Sequence, residues 1–211
     1  MSKQPAAVSD TLSLKRERLL EKLRGIECAI VAFSGGLDST VLLKAVLLTH
    51  DPKDVVAVTG RSPTAPTGEA DEARQLAQML GATHVVVDTT EMQLPAYTAN
   101  TPDRCYLCKL EILSRIEPAG RQVVPDGVLL DGSNYDDLSD YRPGMKAAAE
   151  AGVVSPLADC ELTKAELREI ARQWDLPIAE RPASPCLSTR LAYGLEITHE
   201  RIRRVWSPRA G

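Results

Sequence analysis

Short apolar runs alternate with amphipathic segments along most of this chain of 211 residues. The runs "CAIVAF" (28–33) and "VVAVTG" (55–60) are continuous and rich in strand-forming residues, which is typical of strands buried on both faces of a parallel sheet. "HVVVDT" (84–89) and "GVLLDG" (127–132) have a similar composition. The pattern therefore predicts a buried strand at each of these runs.

Between these runs, apolar residues recur at the spacing of an α-helix, with charged residues in the intervening positions. The predicted helices cover residues 12–24, 39–50, 68–81, 105–116, 143–152 and 163–175. Alternating strands and helices predict an α/β fold, a parallel sheet with helices on both faces. We assign residues 12–175 to this domain and expect the proline-containing segment 176–211, whose periodicity is weak, to form part of the site.

The stretch "VAFSGGLDST", which includes the end of the first apolar run, carries the first candidate site, because parallel sheets bind ligands at the carboxyl ends of their strands. Gly35 and Gly36 allow the backbone to approach an anion closely. The N–H groups at the start of the following helix can bind phosphate, and the hydroxyls of Ser34, Ser39 and Thr40 add donors. The stretch therefore predicts a phosphate-binding loop.

Asp38 lies in the same loop, where a carboxylate would repel bare phosphates, so a bridging Mg²⁺ ion is the natural explanation for it. The loop lacks the Gly-Lys-Ser/Thr ending of Walker A and does not match Gly-x-Gly-x-x-Gly. It resembles the SGGxDS PP-loop of the ATP pyrophosphatase group, whose members cleave ATP between the α- and β-phosphates and adenylate a substrate oxygen. The resemblance implies ATP and Mg²⁺ as cofactors, and the alternative is a glycine turn that joins strand to helix.

Two further strand ends offer candidates for the nucleotide. Asp131 and Gly132 close the fourth run, where the ribose or adenine of an adenylate should lie. Thr59, near the end of the second run, is a weaker candidate of the same kind. The alternative for each is an ordinary turn.

Five cysteines are spread along the chain. Cys105 and Cys108 lie three positions apart at a predicted helix start, which suits half of a zinc site, a redox dithiol or part of an iron–sulfur site. A four-thiolate zinc site needs a second pair, and the other cysteines are isolated. Cys186 lies in "RPASPCLSTR" near Arg181 and Arg190, whose charges favour a thiolate. The sequence thus marks three thiols as functional candidates.

Composition narrows the class of protein. The net charge of -4 argues against a general nucleic-acid binder, and an aromatic content of 4% argues against stacking platforms for single strands. The polar N-terminus lacks the apolar core of a signal peptide, and no apolar segment is long enough to span a membrane. We therefore expect a cytoplasmic protein that binds neither nucleic acid nor membranes, with cysteines used for metal binding, catalysis or burial.

Five stretches together resemble the LarE family, ATP-dependent sulfur transferases of nickel-pincer nucleotide biosynthesis. They are "VAFSGGLDST", "NTPDRCYLCK", "LLDGSNYDDLSDYRPGMKAA", "SPLADCELTKAELREIAR" and "RPASPCLSTRLAYGLEIT". The resemblance implies that ATP and Mg²⁺ adenylate a carboxylate of pyridinium-3,5-biscarboxylic acid mononucleotide, with release of pyrophosphate. Sulfur then replaces AMP on the activated carbon, which yields a thiocarboxylate.

The resemblance also implies two modes of sulfur supply. Members with one cysteine, matching Cys186, give up that sulfur and act once. Members with three, matching Cys105, Cys108 and Cys186, hold a [4Fe-4S] cluster with one iron open to an extra sulfide. This chain has all three, so we favour the cluster, keep sacrificial donation as the first alternative, and keep a zinc-bound or structural pair as the other. A sulfide or other sulfur donor is the implied partner.

The same resemblance marks anion-binding candidates. Arg104, Arg142, Arg181 and Arg190 are expected to neutralise the phosphate of the mononucleotide or the leaving pyrophosphate, although each alone also suits a surface charge. Family members continue past the segment "THERIRRV" into a region that helps bind substrate and builds oligomer contacts. We therefore expect a C-terminally shortened member of the family and a homo-oligomer.

Two rival functions stay open. A PP-loop amidotransferase or ligase that uses ammonia would need no cysteine near the ATP site. A non-catalytic nucleotide-binding paralogue would bind ATP without releasing pyrophosphate. Replacement of Cys186 tests the first rival, and a pyrophosphate assay tests the second.

Overall fold

The computed structural model describes residues 6–139 and 143–206. Its centre is a four-stranded parallel sheet in the order β3-β2-β1-β4. The strands are β1 (Ala29–Ala32), β2 (Val55–Arg61), β3 (Thr83–Asp88) and β4 (Val128–Leu130). Each predicted run forms one of these strands, and the predicted parallel α/β fold is confirmed.

The helices surround the sheet on both faces. Those within the described residues are α1 (Ala6–Arg24), α2 (Leu37–Leu47), α3 (Glu69–Leu80), α4 (Pro95–Thr98), α5 (Arg104–Arg121), α6 (Pro143–Glu150), α7 (Pro156–Asp159), α8 (Lys164–Gln173) and α9 (His199–Val205). The six predicted helices correspond to α1, α2, α3, α5, α6 and α8, with shifted ends. A residue in the left-handed backbone conformation ends a helix abruptly, as Gly81 does after α3.

Strand residues alternate between two apolar cores. Val31 and Ala57 belong to the larger core, which also contains buried residues of α1, α2 and α8. Ile30 and Val58, one position along each strand, belong to the second core together with Leu113 of α5. Because successive side chains of a strand point to opposite faces, the two cores cover both faces of the sheet.

The segment after α8 begins in the larger core, with Leu176, Ile178 and Ala179, and then packs through a third apolar cluster. Leu187, Leu191, Ile197 and Ile202 surround Tyr97 of α4. Backbone hydrogen bonds join this segment to the loop after β2 and to α4. Leu187 N, for example, donates to the carbonyl oxygen of Thr64 at 2.9 Å. The segment thus lies beside the sheet ends, and its assignment as a separate site-forming unit stays a prediction. No helix within the described ranges combines the length and apolar character needed to cross a membrane.

Candidate active site

The PP-loop is a tight turn between β1 and α2 that hydrogen-bonds to itself. Gly35 has a φ of +69°, and a Cβ there would lie 3.1 Å from the Cα of Ala73, so glycine suits both the backbone and the approach of α3. Gly36 N donates to Ser34 Oγ at 3.2 Å. Thr40 Oγ1 donates to Gly36 O at 2.7 Å, and its side chain is buried. Thr40 therefore holds the loop from inside the domain.

A cleft of about 810 Å³ lies at the carboxyl ends of the strands. The predicted site residues that line it are Ser34, Gly35, Gly36, Asp38, Ser39, Thr59, Cys108, Asp131, Gly132, Arg181 and Cys186. Of the other predicted residues, Thr40, Arg104, Cys105 and Arg190 are not part of this lining, and Arg142 lies outside the described residues. The cleft therefore joins the phosphate loop to two of the three candidate thiols.

Asp38 forms an ion pair with Lys164, which lies in the quoted stretch "SPLADCELTKAELREIAR" but was not among the predicted site residues. Lys164 Nζ lies 2.7 Å from Asp38 Oδ1 and 2.6 Å from Oδ2, and Asn134 Nδ2 donates to Oδ2 at 3.3 Å. Lys164 begins α8, where Thr163 and Glu166 form a capping box. The spacing of Thr163 and Glu166 indicates the start of this helix in the sequence. The ion pair between Lys164 and Asp38 joins distant parts of the chain and is visible only in the folded structure.

Asp131 is buried and ionised at the end of β4. Burial by itself would raise the pKa of Asp131, but Lys109 at 2.9 Å and the hydroxyl of Ser155 at 2.8 Å hold it below its ordinary value. Gly132 lies so close to α2 that a Cβ would be 2.8 Å from Ser39 N. The pair thus anchors the strand end against the PP-loop, and contact of either residue with a nucleotide stays a prediction.

Thr59 lines the cleft, yet its hydroxyl already has protein partners. Thr59 Oγ1 donates to Phe33 O at 2.6 Å and lies 2.8 Å from His84 Nε2. Burial, with a smaller effect of Arg74, lowers the pKa of His84, so the ring is neutral near pH 7. Its Nε2–H can then donate to Thr59. The hydroxyl of Thr59 therefore ties β2 to β1 and β3.

Cys186 reaches the cleft from the C-terminal segment. Its Sγ lies 3.3 Å from Thr64 Oγ1 and 3.4 Å from Ser188 Oγ, and the residue is exposed. The hydroxyl of Tyr97 lies 2.8 Å from Ser188 Oγ, which extends the polar contacts to α4. The loop after β2 therefore holds the candidate sulfur beside the cleft.

Cys108 is half-buried on α5, and Cys105 is exposed at the start of that helix. Burial raises the pKa of the Cys108 thiol most strongly, and the nearby charges of Glu91, Cys186 and Cys105 raise it further. Cys105 and Cys186 thus both lie near enough to Cys108 for their charges to act on it. The described part of the chain nevertheless holds no cluster of three or more His, Cys, Asp or Glu side chains arranged to bind a metal.

Glu91 is a buried carboxylate that sequence patterns did not mark. It is fully buried in the turn after β3, where Ser62 donates a short hydrogen bond to its Oε1. Thr64 Oγ1 lies 3.5 Å from the same oxygen, and Oε2 has no hydrogen-bond partner among the described residues. Glu91 thus connects through Thr64 to Cys186, and its negative charge acts on Cys108.

The candidate arginines serve different contacts. The buried guanidinium of Arg104 stacks 4.7 Å from the ring centre of Tyr193 in the C-terminal segment. Arg190 donates at 2.7 Å to the last backbone carbonyl of α9. Arg181 lines the cleft and pairs with Glu72 of α3. Of these three, only Arg181 lines the cleft, and phosphate binding by any of the four candidates stays a prediction.

Comparison with known proteins shows to which family this chain belongs. No family model matches this chain. The uncharacterized protein slr1717 of Synechocystis is 42% identical over 196 residues, which cover 92% of this chain and 72% of that protein. The pyridinium-3,5-bisthiocarboxylic acid mononucleotide synthase of Lactiplantibacillus plantarum is 34% identical over 195 residues, which cover 92% of this chain and 70% of that enzyme. This chain belongs to the LarE family.

A solved structure agrees with this LarE fold. NMN synthetase from Francisella tularensis superimposes with a TM-score of 0.61 at 17% identity, covering 90% of this chain and 84% of that one. At this identity the likeness shows the PP-loop fold alone. Membership of the LarE family, in turn, confirms the prediction that the chain is an enzyme of the ATP-dependent sulfur transferase class.

Proposed function

We propose that this LarE-family chain converts a carboxylate of pyridinium-3,5-biscarboxylic acid mononucleotide to a thiocarboxylate, with ATP as the activating cosubstrate. The observation that carries the proposal is a single cleft lined by both the PP-loop and Cys186. A site that only bound ATP would need no thiol there. The name of the relative from Lactiplantibacillus plantarum, a bisthiocarboxylic acid mononucleotide synthase, supports the same substrate class.

The proposed reaction has two steps. A carboxylate oxygen of the substrate attacks the α-phosphorus of ATP, and the bond from that phosphorus to the oxygen that bridges it to the β-phosphorus breaks, which releases pyrophosphate. A sulfur nucleophile then attacks the acyl carbon, and the bond to the AMP oxygen breaks, which releases AMP. Sulfide from a donor gives the thiocarboxylate directly. If the nucleophile is Cys186, loss of its α-proton and cleavage of its Cβ–Sγ bond release the thiocarboxylate and leave dehydroalanine. N–H groups at the start of α2 and the hydroxyls of Ser34 and Ser39 would bind the departing phosphates.

Mg²⁺ fits the acidic side of the PP-loop. The carboxylate of Asp38 faces the cleft, and such oxygens are the ligands that Mg²⁺ prefers. Nucleotide sites usually hold Mg²⁺ with one or two carboxylates and the substrate phosphates. Asp38 would therefore hold the ion, which would neutralise charge on the phosphates of ATP.

Two sources of sulfur are chemically reasonable. Cys105, Cys108 and Cys186 are the donor set that a [4Fe-4S] cluster with one open iron requires, and a bound cluster would supply the transferable sulfur. The thiols are not assembled as a ligand set within the described residues, so binding would require the three thiols to come closer together. Sacrificial donation needs no such movement, because Cys186 already lines the cleft. We propose the cluster first and sacrificial donation second.

Anaerobic purification with iron and sulfide analysis separates these sources. Bound iron and acid-labile sulfide that disappear in a Cys105→Ser variant support the cluster. Iron-free protein that loses the sulfur and two hydrogens of Cys186 after one turnover, by mass spectrometry, supports sacrificial donation. If neither result is obtained, both sources are contradicted.

Cys186→Ser tests the proposed function itself. We expect the variant to release pyrophosphate from ATP in the presence of the biscarboxylate mononucleotide but to form no thiocarboxylate, because activation precedes sulfur transfer. Cys28→Ser is the matched control, since this half-buried cysteine lies away from the cleft lining. Unchanged product formation in Cys186→Ser would favour an ammonia-using ligase. Absence of pyrophosphate release by the wild type would favour a non-catalytic nucleotide binder.

Several other properties remain proposals. We propose a homo-oligomeric, cytoplasmic enzyme that receives sulfur from sulfide or another donor. We also keep the division between a PP-loop domain (12–175) and a sulfur-transfer segment (176–211). The packing of residues 187–202 on Tyr97 of α4 supports this division, because their apolar cluster is distinct from the two cores around the sheet. The start of the segment joins the larger core through Leu176, Ile178 and Ala179.

A further inference from the structure

Lys164 occupies both oxygens of the carboxylate that would hold Mg²⁺. Its Nζ lies within 2.7 Å of each oxygen of Asp38, and the side chains are 39% and 19% exposed respectively. An ammonium in this position competes directly with a metal ion, because both cations need the same oxygens. Full contact of Lys164 with Asp38 and coordination of Mg²⁺ by Asp38 therefore exclude each other.

The backbone of Lys164 is held firmly, whereas its side chain can turn. Lys164 N donates to Asp136 Oδ2 at 2.8 Å, and the preceding Thr163 forms the capping box of α8. Lys15 pairs with Glu166 of the same helix at 2.8 Å. The side chain beyond the Cβ is a flexible chain of methylenes with its ammonium in the open cleft. Rotation about those bonds can move the charge without moving the helix.

Other cations that line the cleft are engaged elsewhere. Arg168 donates to a backbone carbonyl at 2.7 Å, and Arg181 pairs with Glu72. Lys109 pairs with Asp131, and Arg61 pairs with Asp88. Lys164 alone among these five contacts the PP-loop through its side-chain charge in the described structure. A metal ion on Asp38 would therefore release an ammonium directly beside the phosphate-binding loop.

We propose that Lys164 changes partners when metal and nucleotide bind, leaving Asp38 to Mg²⁺ and contacting the pyrophosphate part of ATP. The inference rests on the proposed function, which supplies the identity of the nucleotide. In this role Lys164 is a catalytic residue, because its charge offsets the negative charge that develops on pyrophosphate as it leaves. Before ATP arrives, the same ammonium weakens the affinity of Asp38 for metal.

Lys164→Met tests the exchange by two titrations with opposite expected signs. Mn²⁺ binding, followed by EPR without nucleotide, should become about two- to five-fold tighter, because an exposed competing ion pair is lost. Binding of inorganic pyrophosphate with Mg²⁺, followed by calorimetry, should become about tenfold or more weaker, because a charge-assisted contact is lost. Mn²⁺ affinity that stays unchanged or falls, or unchanged pyrophosphate affinity, overturns the inference.

Lys15→Met is the matched control. It removes an ion pair to α8 from a residue outside the cleft lining, so both affinities should match the wild type. If this variant reproduces the pattern of Lys164→Met, the effect comes from the position of α8 and the inference is overturned.

Neither titration needs the mononucleotide or a sulfur donor. Failure of the proposed function would be seen as wild-type enzyme that makes no thiocarboxylate. Failure of this inference would be seen as a Lys164→Met variant whose two titrations do not move in opposite directions. The two failures are therefore distinguishable.

Discussion

Gly132→Ala tests how the end of β4 supports the PP-loop. A Cβ on Gly132 would lie 2.8 Å from Ser39 N and 3.1 Å from Ser39 Cα. Both are backbone atoms, so neither can rotate away, and an ordinary contact of 3.4 Å needs a further separation of about 0.6 Å. The strand end and the start of α2 must move apart, and the phosphate-binding N–H groups move with α2.

The expected losses of unfolding free energy and of MgATP affinity follow from this geometry. Extra atoms in a well-packed region typically cost about 1–3 kcal/mol, and a clash with backbone should fall near the upper end, at about 2–3 kcal/mol of unfolding free energy. Displaced donors should also weaken MgATP binding by about tenfold or more, because their alignment on the phosphates is lost. Urea unfolding followed by circular dichroism measures the first quantity, and calorimetry at low urea measures the second.

Two glycine variants separate a moved loop from general destabilisation. In Gly127→Ala the new Cβ would lie 2.7 Å from a side-chain atom of Ile30 in the core, so stability should fall while MgATP affinity is kept. In Gly144→Ala the nearest atom is 3.6 Å away and the site is helical, so stability should hold or rise by up to about 1 kcal/mol. Wild-type MgATP affinity in Gly132→Ala, or an equal loss in Gly127→Ala, would refute the reasoning.

Two further predictions concern buried charged groups. Arg104→Met removes the guanidinium that stacks on Tyr193 and donates to Asn100, so unfolding free energy in urea should fall by about 2–3 kcal/mol and chymotrypsin should cut the C-terminal segment faster. Glu91→Gln removes a negative charge that helps burial to raise the pKa of Cys108, so this thiol should ionise at lower pH. The rate of its alkylation by iodoacetamide at a fixed alkaline pH in metal-free protein, followed at Cys108 by mass spectrometry, should rise accordingly.

Each of these variants has a control on the same element or segment. Arg203→Met changes an exposed cation of α9 and should leave both stability and proteolysis unchanged. Glu117→Gln changes a partly exposed acid of α5 and should leave the alkylation rate of Cys108 unchanged. Wild-type stability in Arg104→Met, or an unchanged alkylation rate in Glu91→Gln, would contradict the roles assigned to these groups.

The strands and the phosphate loop could be predicted because their signals are local. A strand buried on both faces, such as β1, needs an unbroken apolar run, and no distant residue is required to recognise it. Gly35 of the PP-loop likewise reports the left-handed backbone conformation of its own position. Helix ends were less accurate, as in α1, which begins at Ala6 rather than at residue 12. Fraying and weak periodicity make such ends hard to recognise from residue types.

The amino-acid sequence by itself determined the parallel α/β sheet, the PP-loop and which three thiols are functional candidates. Only the tertiary structure decided that Lys164 pairs with Asp38, 126 positions away, and that Arg104 stacks on Tyr193 outside the cleft lining. It also decided that Glu91 is buried near Cys108. The physical reason is that local residue types limit backbone conformation, whereas the partner of a long charged side chain depends on which distant segments the packed cores bring together.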